Sequence, residues 1–295
     1  MKINRFVDAH MHLWDLHHIR YPWLTPPFNS NGPNGSVEPI ASDYLLENYF
    51  TDAQDIPVKK LVHIEAGAHP DDAVKETQWL QTLVEKNNLY LAIVAYAALN
   101  NPDLEQMLEA HSEYKNVRGI RHIINWHPDP SLTYTRQNCL EDSAFHRGYR
   151  LLKKFNLSFD LQVYPNQMLQ AYELAKHHPN TPLILNHMGM PVDLDKSEWK
   201  KGIQSLAQLS HASIKISGFG FINRHWQLPE MRELVLYSIE HFGTDRIMFA
   251  SDYPTDKLFN SFAQAFNTYQ QITENFSANE IESMFAANAE RIYRI

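Results

Sequence analysis

The chain of 295 residues contains a single cysteine, Cys139, so an internal disulfide framework is excluded. No apolar run approaches the length of roughly 18 residues that a membrane helix needs. The opening residues are predicted to begin a strand at once, so a secretory leader is not expected. Lys and Arg form no basic run and the net charge is −8, which argues against a nucleic-acid partner. These absences predict a cytoplasmic protein that acts on a small molecule, and they leave its oligomeric state open.

Eight short apolar segments alternate with segments of helical periodicity along the whole chain. Near-continuous apolar character is typical of strands covered on both faces, as in parallel sheets. The predicted strands are 5–14, 61–67, 90–99, 117–125, 157–164, 182–188, 212–218 and 246–254. Helical spacing predicts helices that include 72–86, 165–178 and 229–242. This alternation predicts an α/β fold of the (β/α)₈ barrel type. A doubly wound dinucleotide-binding sheet is disfavoured, because no G-x-G-x-x-G motif follows the first strand.

Long connections without regular periodicity, 21–39 and 126–142, follow the first and fourth predicted strands. Barrel enzymes carry their sites at the carboxyl ends of the strands, so both loops are expected to border a site. Alternate residues of a strand share a face, which predicts that Asp8, His10 and His12 of "VDAHMHLWD" all point into the barrel. Two imidazoles spaced in this way can converge on one cation.

Two more ionisable residues are predicted where later strands end. His187 closes the sixth predicted strand on the face of Leu183 and Leu185, and Asp252 closes the eighth. The alternatives are a core histidine with a backbone partner and an aspartate that caps a following helix. Because all carboxyl ends of barrel strands meet at one mouth, we expect His187 and Asp252 to join the first-strand histidines in a site.

Several motifs occur in the order found in one enzyme group: "DAHMHLWD", "YPWL", "VHIEAG", "VRGIRHII", "NHMGMP", "IKISG", "RIMFASDYP" and "ANAERIY". In these the chain resembles the amidohydrolase superfamily. Within it, the resemblance is greatest to the branch of L-fucono- and L-rhamnono-lactonases and 2-pyrone-4,6-dicarboxylate lactonase. The resemblance implies a distorted (β/α)₈ TIM barrel, one domain over 1–295, and hydrolysis of the ring ester of a sugar-acid lactone. It places His10, His12, His187 and Asp252 on active-site positions.

The chain departs from the superfamily in its metal ligands. The fifth strand has no histidine and the fourth no lysine suited to bridging two metals, so a binuclear centre is not expected. One divalent ion, Zn²⁺ above others, is the expected cofactor, with His10, His12, His187 and Asp252 as its ligands. A mechanism without metal stays open, in which the histidines donate to the lactone carbonyl. In both cases Asp252 is the predicted general base.

Substrate contacts are predicted from the loops and the fourth strand. Arg121 is the cation expected to meet the substrate, although strand parity does not decide whether Arg121 or His122 faces the site. Tyr21 and Trp23 offer an amphipathic wall for a sugar-like ring, and Trp126 is expected to close the other side.

Two charged residues of the predicted strands, Glu65 and Lys215, have expected roles inside the barrel. Glu65 either orients a histidine or contacts substrate, or it is a buried carboxylate paired within the barrel, whereas Lys215 is expected to be structural.

A metal-dependent decarboxylase of a small aromatic acid is the first alternative function, and a non-catalytic sugar-acid binding protein is the second. Amide hydrolysis at a binuclear centre is disfavoured by the missing ligand on the fifth strand.

Overall fold

The computed structural model describes residues 3–295, and eight parallel strands form its centre. The strands are β1 Phe6–Met11, β2 Val58–Ile64, β3 Leu91–Tyr96, β4 Val117–Ile123, β5 Ser158–Gln162, β6 Leu183–Leu185, β7 Ala212–Ile216 and β8 Ile247–Phe249. Each strand pairs with the next in chain order. The predicted (β/α)₈ barrel is therefore confirmed, with shorter strands than the apolar segments indicated.

Helices follow the strands and cover the outside of the barrel. They are α1 Leu46–Asp52, α2 Ala73–Asn87, α3 Leu104–Ser112, α4 Ser143–Leu151, α5 Pro165–Ala175, α6 Ser197–Ala207, α7 Phe219–Ile222, α8 Leu228–Phe242, α9 Phe262–Ile272, α10 Ala278–Glu282 and α11 Asn288–Tyr293. Helix α5 begins with Pro165, whose fixed φ suits a first turn, and α2 ends before Asn88 in the left-handed region. Among the described residues, no helix combines the length and apolar character needed to cross a membrane.

An apolar layer fills the lower part of the barrel. Its strand residues come from five strands: Val7, Ala9, Val62, Ile64, Ala92, Val94, Ile184 and Met248. Side chains of β3 and β6 can share a cluster only inside a closed barrel, so this layer is the barrel interior. Phe6, by contrast, packs edge-on against Phe266 of the surrounding α9.

The carboxyl-terminal helix closes the amino end of the barrel. Tyr293 of α11 joins the interior layer and donates a hydrogen bond to Asp160 at 2.8 Å. Lys215 reaches the same carboxylate at 2.5 Å, so it points into the barrel and has a partner there, in agreement with the structural role expected for it. The last residue, Ile295, accepts a hydrogen bond from Lys60, which lies near the start of β2. Charge inside the barrel is thus paired at the level of the apolar layer, since Asp160 lies in register with Ile184 and Lys215 with Met248.

A β-bulge changes the direction of side chains along β1. Asp8 is paired with Leu61 but Met11 with His63, so three steps on β1 match two on β2. The predicted alternation is therefore wrong for Asp8, whose carboxylate accepts a hydrogen bond from Tyr49 of the outer helix α1 at 2.7 Å. The extra residue falls between Asp8 and Met11. For this reason the His10 side chain can point into the barrel although the Asp8 side chain points outward.

The barrel closes between β1 and the segment that follows β8. His12 donates its backbone N–H to Tyr253 at 2.8 Å, and Asp252 donates its own to the carbonyl of His10, also at 2.8 Å. The Asp8 carboxylate adds a bond from the backbone N–H of Ser251 at 2.8 Å. These closing bonds lie at the carboxyl end of the barrel, so they also fix the position of Asp252 relative to the β1 histidines.

Candidate active site

His10 and His12 lie at and just beyond the end of β1, and both are buried. His12 Nδ1 lies 2.8 Å from the carbonyl oxygen of Ile64. A carbonyl only accepts, so Nδ1 carries the proton and Nε2 of the neutral ring keeps its lone pair. This Nε2 faces Asp252. The tautomer of His12 is therefore the one that can bind a metal or accept a proton toward the cavity.

Asp252 lies between the histidines. Its Oδ1 is 3.3 Å from His10 Nε2, 3.3 Å from His12 Nε2 and 3.9 Å from His187 Nε2. The residue lies three positions beyond the last residue of β8 and has φ 57°, in the left-handed region. Such a backbone conformation costs a non-glycine residue of the order of 1 kcal/mol or more, and it occurs often at functional sites. Here the closing bond to the His10 carbonyl holds it in place.

His187 also lies beside Asp252, but its backbone conformation is not the extended strand that the sequence predicts. Strand β6 ends at Leu185, and His187 follows in the left-handed region with φ 51°. Leu183 and Leu185 pack in the main core outside the barrel, so the expectation that His187 shares their face is wrong. Its Nδ1 lies 2.9 Å from Ser217 Oγ, and a Cβ on Gly218 would lie 2.7 Å from that same Nδ1. A glycine is therefore required beside this imidazole.

Burial sets the charge of the cluster. It lowers the pKa of His12 to about 3 and that of His187 to about 4, and nearby Arg121 acts in the same direction on both. Burial also lowers the pKa of His10 well below its ordinary value. It raises the pKa of Asp252, because a buried carboxylate loses its hydration. The site therefore contains neutral imidazoles around one carboxyl group with increased basicity.

The cluster has the donors that a metal ion needs. One ligand atom each from His10, His12 and Asp252 lie within 4.8 Å of one another. Nitrogen and carboxylate oxygen suit Zn²⁺, and the bond from His12 Nδ1 to a carbonyl is the support that ligating histidines usually have. His10 Nδ1 has no hydrogen-bond partner among the described residues. The donor set fits one divalent ion, with His12 as its most firmly oriented member.

Arg121 lies beside this cluster and its charge is already paired. Its Nε donates to Glu65 Oε1 at 2.7 Å, and its Nη2 donates to the Glu65 carbonyl at 2.6 Å. Its Nη1 is 3.1 Å from Gln162 Oε1 and 3.4 Å from His10 Nε2. Arg121, Glu65 and Gln162 are each at most 5% exposed. The guanidinium thus joins β2 and β5 to the histidine cluster, with four of its donor directions in use.

A cavity of about 250 Å³ opens above the cluster. It is lined by His12, Trp23, Asn34, Ala66, Gly67, Arg121, Ile123, Tyr134, Gln162, His187, Met190, Phe221, Asp252 and Thr255. Trp23 is held by a bond from its Nε1 to the Ala66 carbonyl at 2.7 Å. Tyr134 donates its hydroxyl to Asn34 Oδ1 at 2.5 Å, so the two long loops meet at the cavity. The lining combines apolar and aromatic side chains with a few polar ones, as is usual in small-molecule sites.

The predicted substrate residues divide into two groups. Arg121 and Trp23 line the cavity, which also decides the parity question in favour of Arg121 over His122. Tyr21, Trp126 and Glu65 do not line it. The Tyr21 hydroxyl is buried and donates to Glu76 at 3.0 Å. Glu65 is the buried carboxylate that pairs with Arg121, the second of the two roles considered for it.

Sequence reasoning missed nine lining residues, of which four carry polar side-chain groups: Gln162, Asn34, Tyr134 and Thr255. Gln162 had a signal, because it is a polar residue near the end of the predicted strand 157–164, but the expectation for that strand concerned histidine alone. Asn34 and Tyr134 lie in the long loops expected to border the site. Which loop residues reach the cavity depends on the loop path, which no local pattern in the sequence specifies.

The fold and the buried histidine–aspartate cluster at the carboxyl ends of the strands are those of a barrel hydrolase. The chain belongs to the amidohydrolase family, whose model matches residues 7–295. It is 38% identical over 292 residues to the uncharacterised protein y4mH of Sinorhizobium fredii, with 98% of each chain covered. It is 24% identical to L-fucono-1,5-lactonase of Burkholderia multivorans, over 98% of this chain and 96% of that one. The crystal structure of a zinc-bound amidohydrolase from Burkholderia multivorans superposes with a TM-score of 0.80, at 24% identity over 98% of this chain and 99% of that one.

Proposed function

We propose that this enzyme opens the ring ester of an uncharged sugar-acid lactone, such as L-fuconolactone or L-rhamnonolactone. The observation that carries the proposal is that the buried carboxyl of Asp252 lies among three neutral imidazoles, at the floor of the cavity. The Arg121 guanidinium that lines this cavity is already paired with Glu65. The lactonase in the family with 24% identity supports the ester as the bond that is broken.

The reaction needs a base for water, a donor to the carbonyl and a proton for the leaving oxygen. Asp252 takes a proton from a water molecule as the water oxygen forms a bond to the lactone carbonyl carbon. The carbonyl electron pair moves to its oxygen, which becomes an oxyanion. As that pair returns, the ring C–O bond breaks and the Asp252 carboxyl gives its proton to the ring oxygen. This transfer restores the Asp252 carboxylate, and the product hydroxy acid then ionises and releases one proton to solvent.

One divalent ion, Zn²⁺ in our proposal, would be held by His10, His12 and Asp252, with His187 beside them. When bound, it would polarise the carbonyl and make water more acidic. The chain's own residues have separate tasks. His12 is oriented by the Ile64 carbonyl, and His187 is oriented by the Ser217 hydroxyl.

The charge of the cavity favours a neutral substrate over an anionic one. Arg121 is the one Lys or Arg among the lining residues, and Glu65 lies 2.7 Å from its Nε. A dicarboxylate such as 2-pyrone-4,6-dicarboxylate, or a benzoate, would meet no unpaired Lys or Arg in the lining, so a carboxylate away from the proposed metal would be buried without a partner, which is costly. Trp23 and Phe221 offer apolar surface for a ring face, and Asn34 and Thr255 offer hydrogen bonds to hydroxyls.

The proposal is tested by a substrate panel on the purified enzyme, with and without chelation and added Zn²⁺. Proton release and product formation are followed for aldonolactones, 2-pyrone-4,6-dicarboxylate and a dihydroxybenzoate. We expect turnover of at least one neutral aldonolactone, with little on the two anions. Carbon dioxide release from the benzoate would instead establish the decarboxylase. Binding of a lactone without turnover under any metal condition would establish the non-catalytic alternative.

A further inference from the structure

We infer that Gln162 is a catalytic residue whose side-chain amide donates to the lactone carbonyl oxygen as that oxygen becomes an oxyanion. The inference rests on the proposed function and assigns a role to a residue outside the histidine–aspartate cluster. Gln162 is the last residue of β5, is 5% exposed and lines the cavity.

The orientation of the Gln162 amide follows from its neighbour. Arg121 Nη1 lies 3.1 Å from Gln162 Oε1, and a guanidinium can only donate. The oxygen of the amide must therefore face Arg121, which turns the NH₂ group away from it. Among the described residues, no group accepts a hydrogen bond from Gln162 Nε2. A buried amide that lines a cavity with its donor unused is a group prepared for a ligand acceptor.

The position of the amide suits a developing negative charge better than a hydroxyl. The Arg121 bond polarises the amide, and donation into its oxygen strengthens donation from its nitrogen. The same Nη1 is 3.4 Å from His10 Nε2, which is 3.3 Å from Asp252 Oδ1. The amide donor is therefore connected through one guanidinium to the residues nearest the proposed base. A fixed donor that is polarised in this way stabilises an oxyanion more than a neutral carbonyl.

Asn34, the other amide of the lining, differs from Gln162 in this respect. Asn34 Oδ1 accepts from the Tyr134 hydroxyl, a neutral donor, and Asn34 is partly exposed in the first long loop. Gln162 is held instead by a strand and a buried cation. Rigid placement is what an oxyanion donor requires, because it must reach its position without reorganisation.

The test compares Gln162→Met and Gln162→Glu with the wild type on a neutral aldonolactone that the wild type hydrolyses. Gln162→Glu keeps an acceptor for Arg121 but removes the donor, so it separates donation from support of the guanidinium. We expect both variants to lose about 100- to 1000-fold in kcat with a much smaller change in KM. Thermal melting and zinc content are measured alongside. Zinc content should match the wild type in both variants, and so should the melting temperature of Gln162→Glu, whereas Gln162→Met leaves Arg121 Nη1 without this acceptor and should melt at a lower temperature. The exposed Gln170 of α5 gives the control, since Gln170→Met and Gln170→Glu should leave kcat unchanged.

Four results would overturn the assignment. Wild-type kcat in Gln162→Met would show that the donor is not used. A raised KM at constant kcat would assign the amide to a substrate hydroxyl. Retained activity in Gln162→Glu alone would limit Gln162 to holding Arg121. Loss of zinc from either variant would make it a metal ligand. If the wild type hydrolyses no lactone, the proposed function itself fails, which is distinct from each of these results.

Discussion

Replacement of Glu65 by glutamine tests the buried ion pair that neutralises Arg121. In the wild type, Glu65 Oε1 accepts from Arg121 Nε at 2.7 Å and Oε2 accepts from the Gly67 N–H at 2.8 Å. A glutamine has one oxygen for these two donors, and it carries no charge. The variant therefore leaves one buried donor without an acceptor and the guanidinium without its counter-ion. Removing one partner of a buried pair typically costs about 3–5 kcal/mol of unfolding free energy.

Equilibrium urea unfolding at neutral pH, followed by fluorescence and circular dichroism, measures this loss. Glu85→Gln is the matched control, because Glu85 lies on the outer surface 3.5 Å from Lys115 and should change stability by about 0.5 kcal/mol or less. Glu65→Leu combined with Arg121→Met should recover most of the loss, since no charge is then left unpaired. The freed guanidinium of Glu65→Gln should also improve affinity for anionic ring compounds. A Glu65→Gln variant within about 1 kcal/mol of the wild type would refute the reasoning.

Three further predictions concern pH, backbone and metal. Burial raises the pKa of Glu76 to about 8, so its acid form stabilises the fold fully below its ordinary pKa and this contribution disappears as pH rises through 8. Urea unfolding of Glu76→Gln at pH 5.5 and 8.5 should show a smaller loss of stability with pH than the wild type; equal losses would contradict this. Gly218→Ala should displace His187, because the added Cβ would lie 2.7 Å from Nδ1, and should reduce kcat and lower the melting temperature. Wild-type values in both assays would be the contrary result. Added Zn²⁺ should raise the melting temperature of the wild type more than that of His12→Ala, and an equal rise would place the ion elsewhere.

The order of strands and helices could be predicted from the sequence because parallel strands of a barrel are buried on both faces. The periodic helices were also confirmed, with α8 observed at Leu228–Phe242 against the predicted 229–242. The predicted strands end too late at β6 and β8, where buried residues continue after the last ladder pair. Apolar character measures burial, and burial continues past the hydrogen-bonded strand into the loops of the mouth.

The predicted cluster of His10, His12, His187 and Asp252 comes together, but the geometric argument for it was only partly correct. Strand alternation does not allow for the bulge after Asp8 or for the left-handed backbone at His187 and Asp252. These features depend on the closing bonds between β1 and the end of β8, which are contacts between distant parts of the chain. Local patterns therefore predicted which residues form the cluster, whereas tertiary bonds determine how each one points.

The most direct test of the account is lactone hydrolysis by Asp252→Asn beside the wild type. Asparagine keeps the size of the side chain, and the backbone bond to His10 is unaffected, so the barrel should close as before. We predict that the wild type releases one proton per neutral aldonolactone. We predict further that Asp252→Asn loses about 100- to 10,000-fold in kcat, with an unchanged circular dichroism spectrum, as expected on removal of a general base. Wild-type kcat in Asp252→Asn would contradict the assignment of the base and with it the proposed reaction at this cluster.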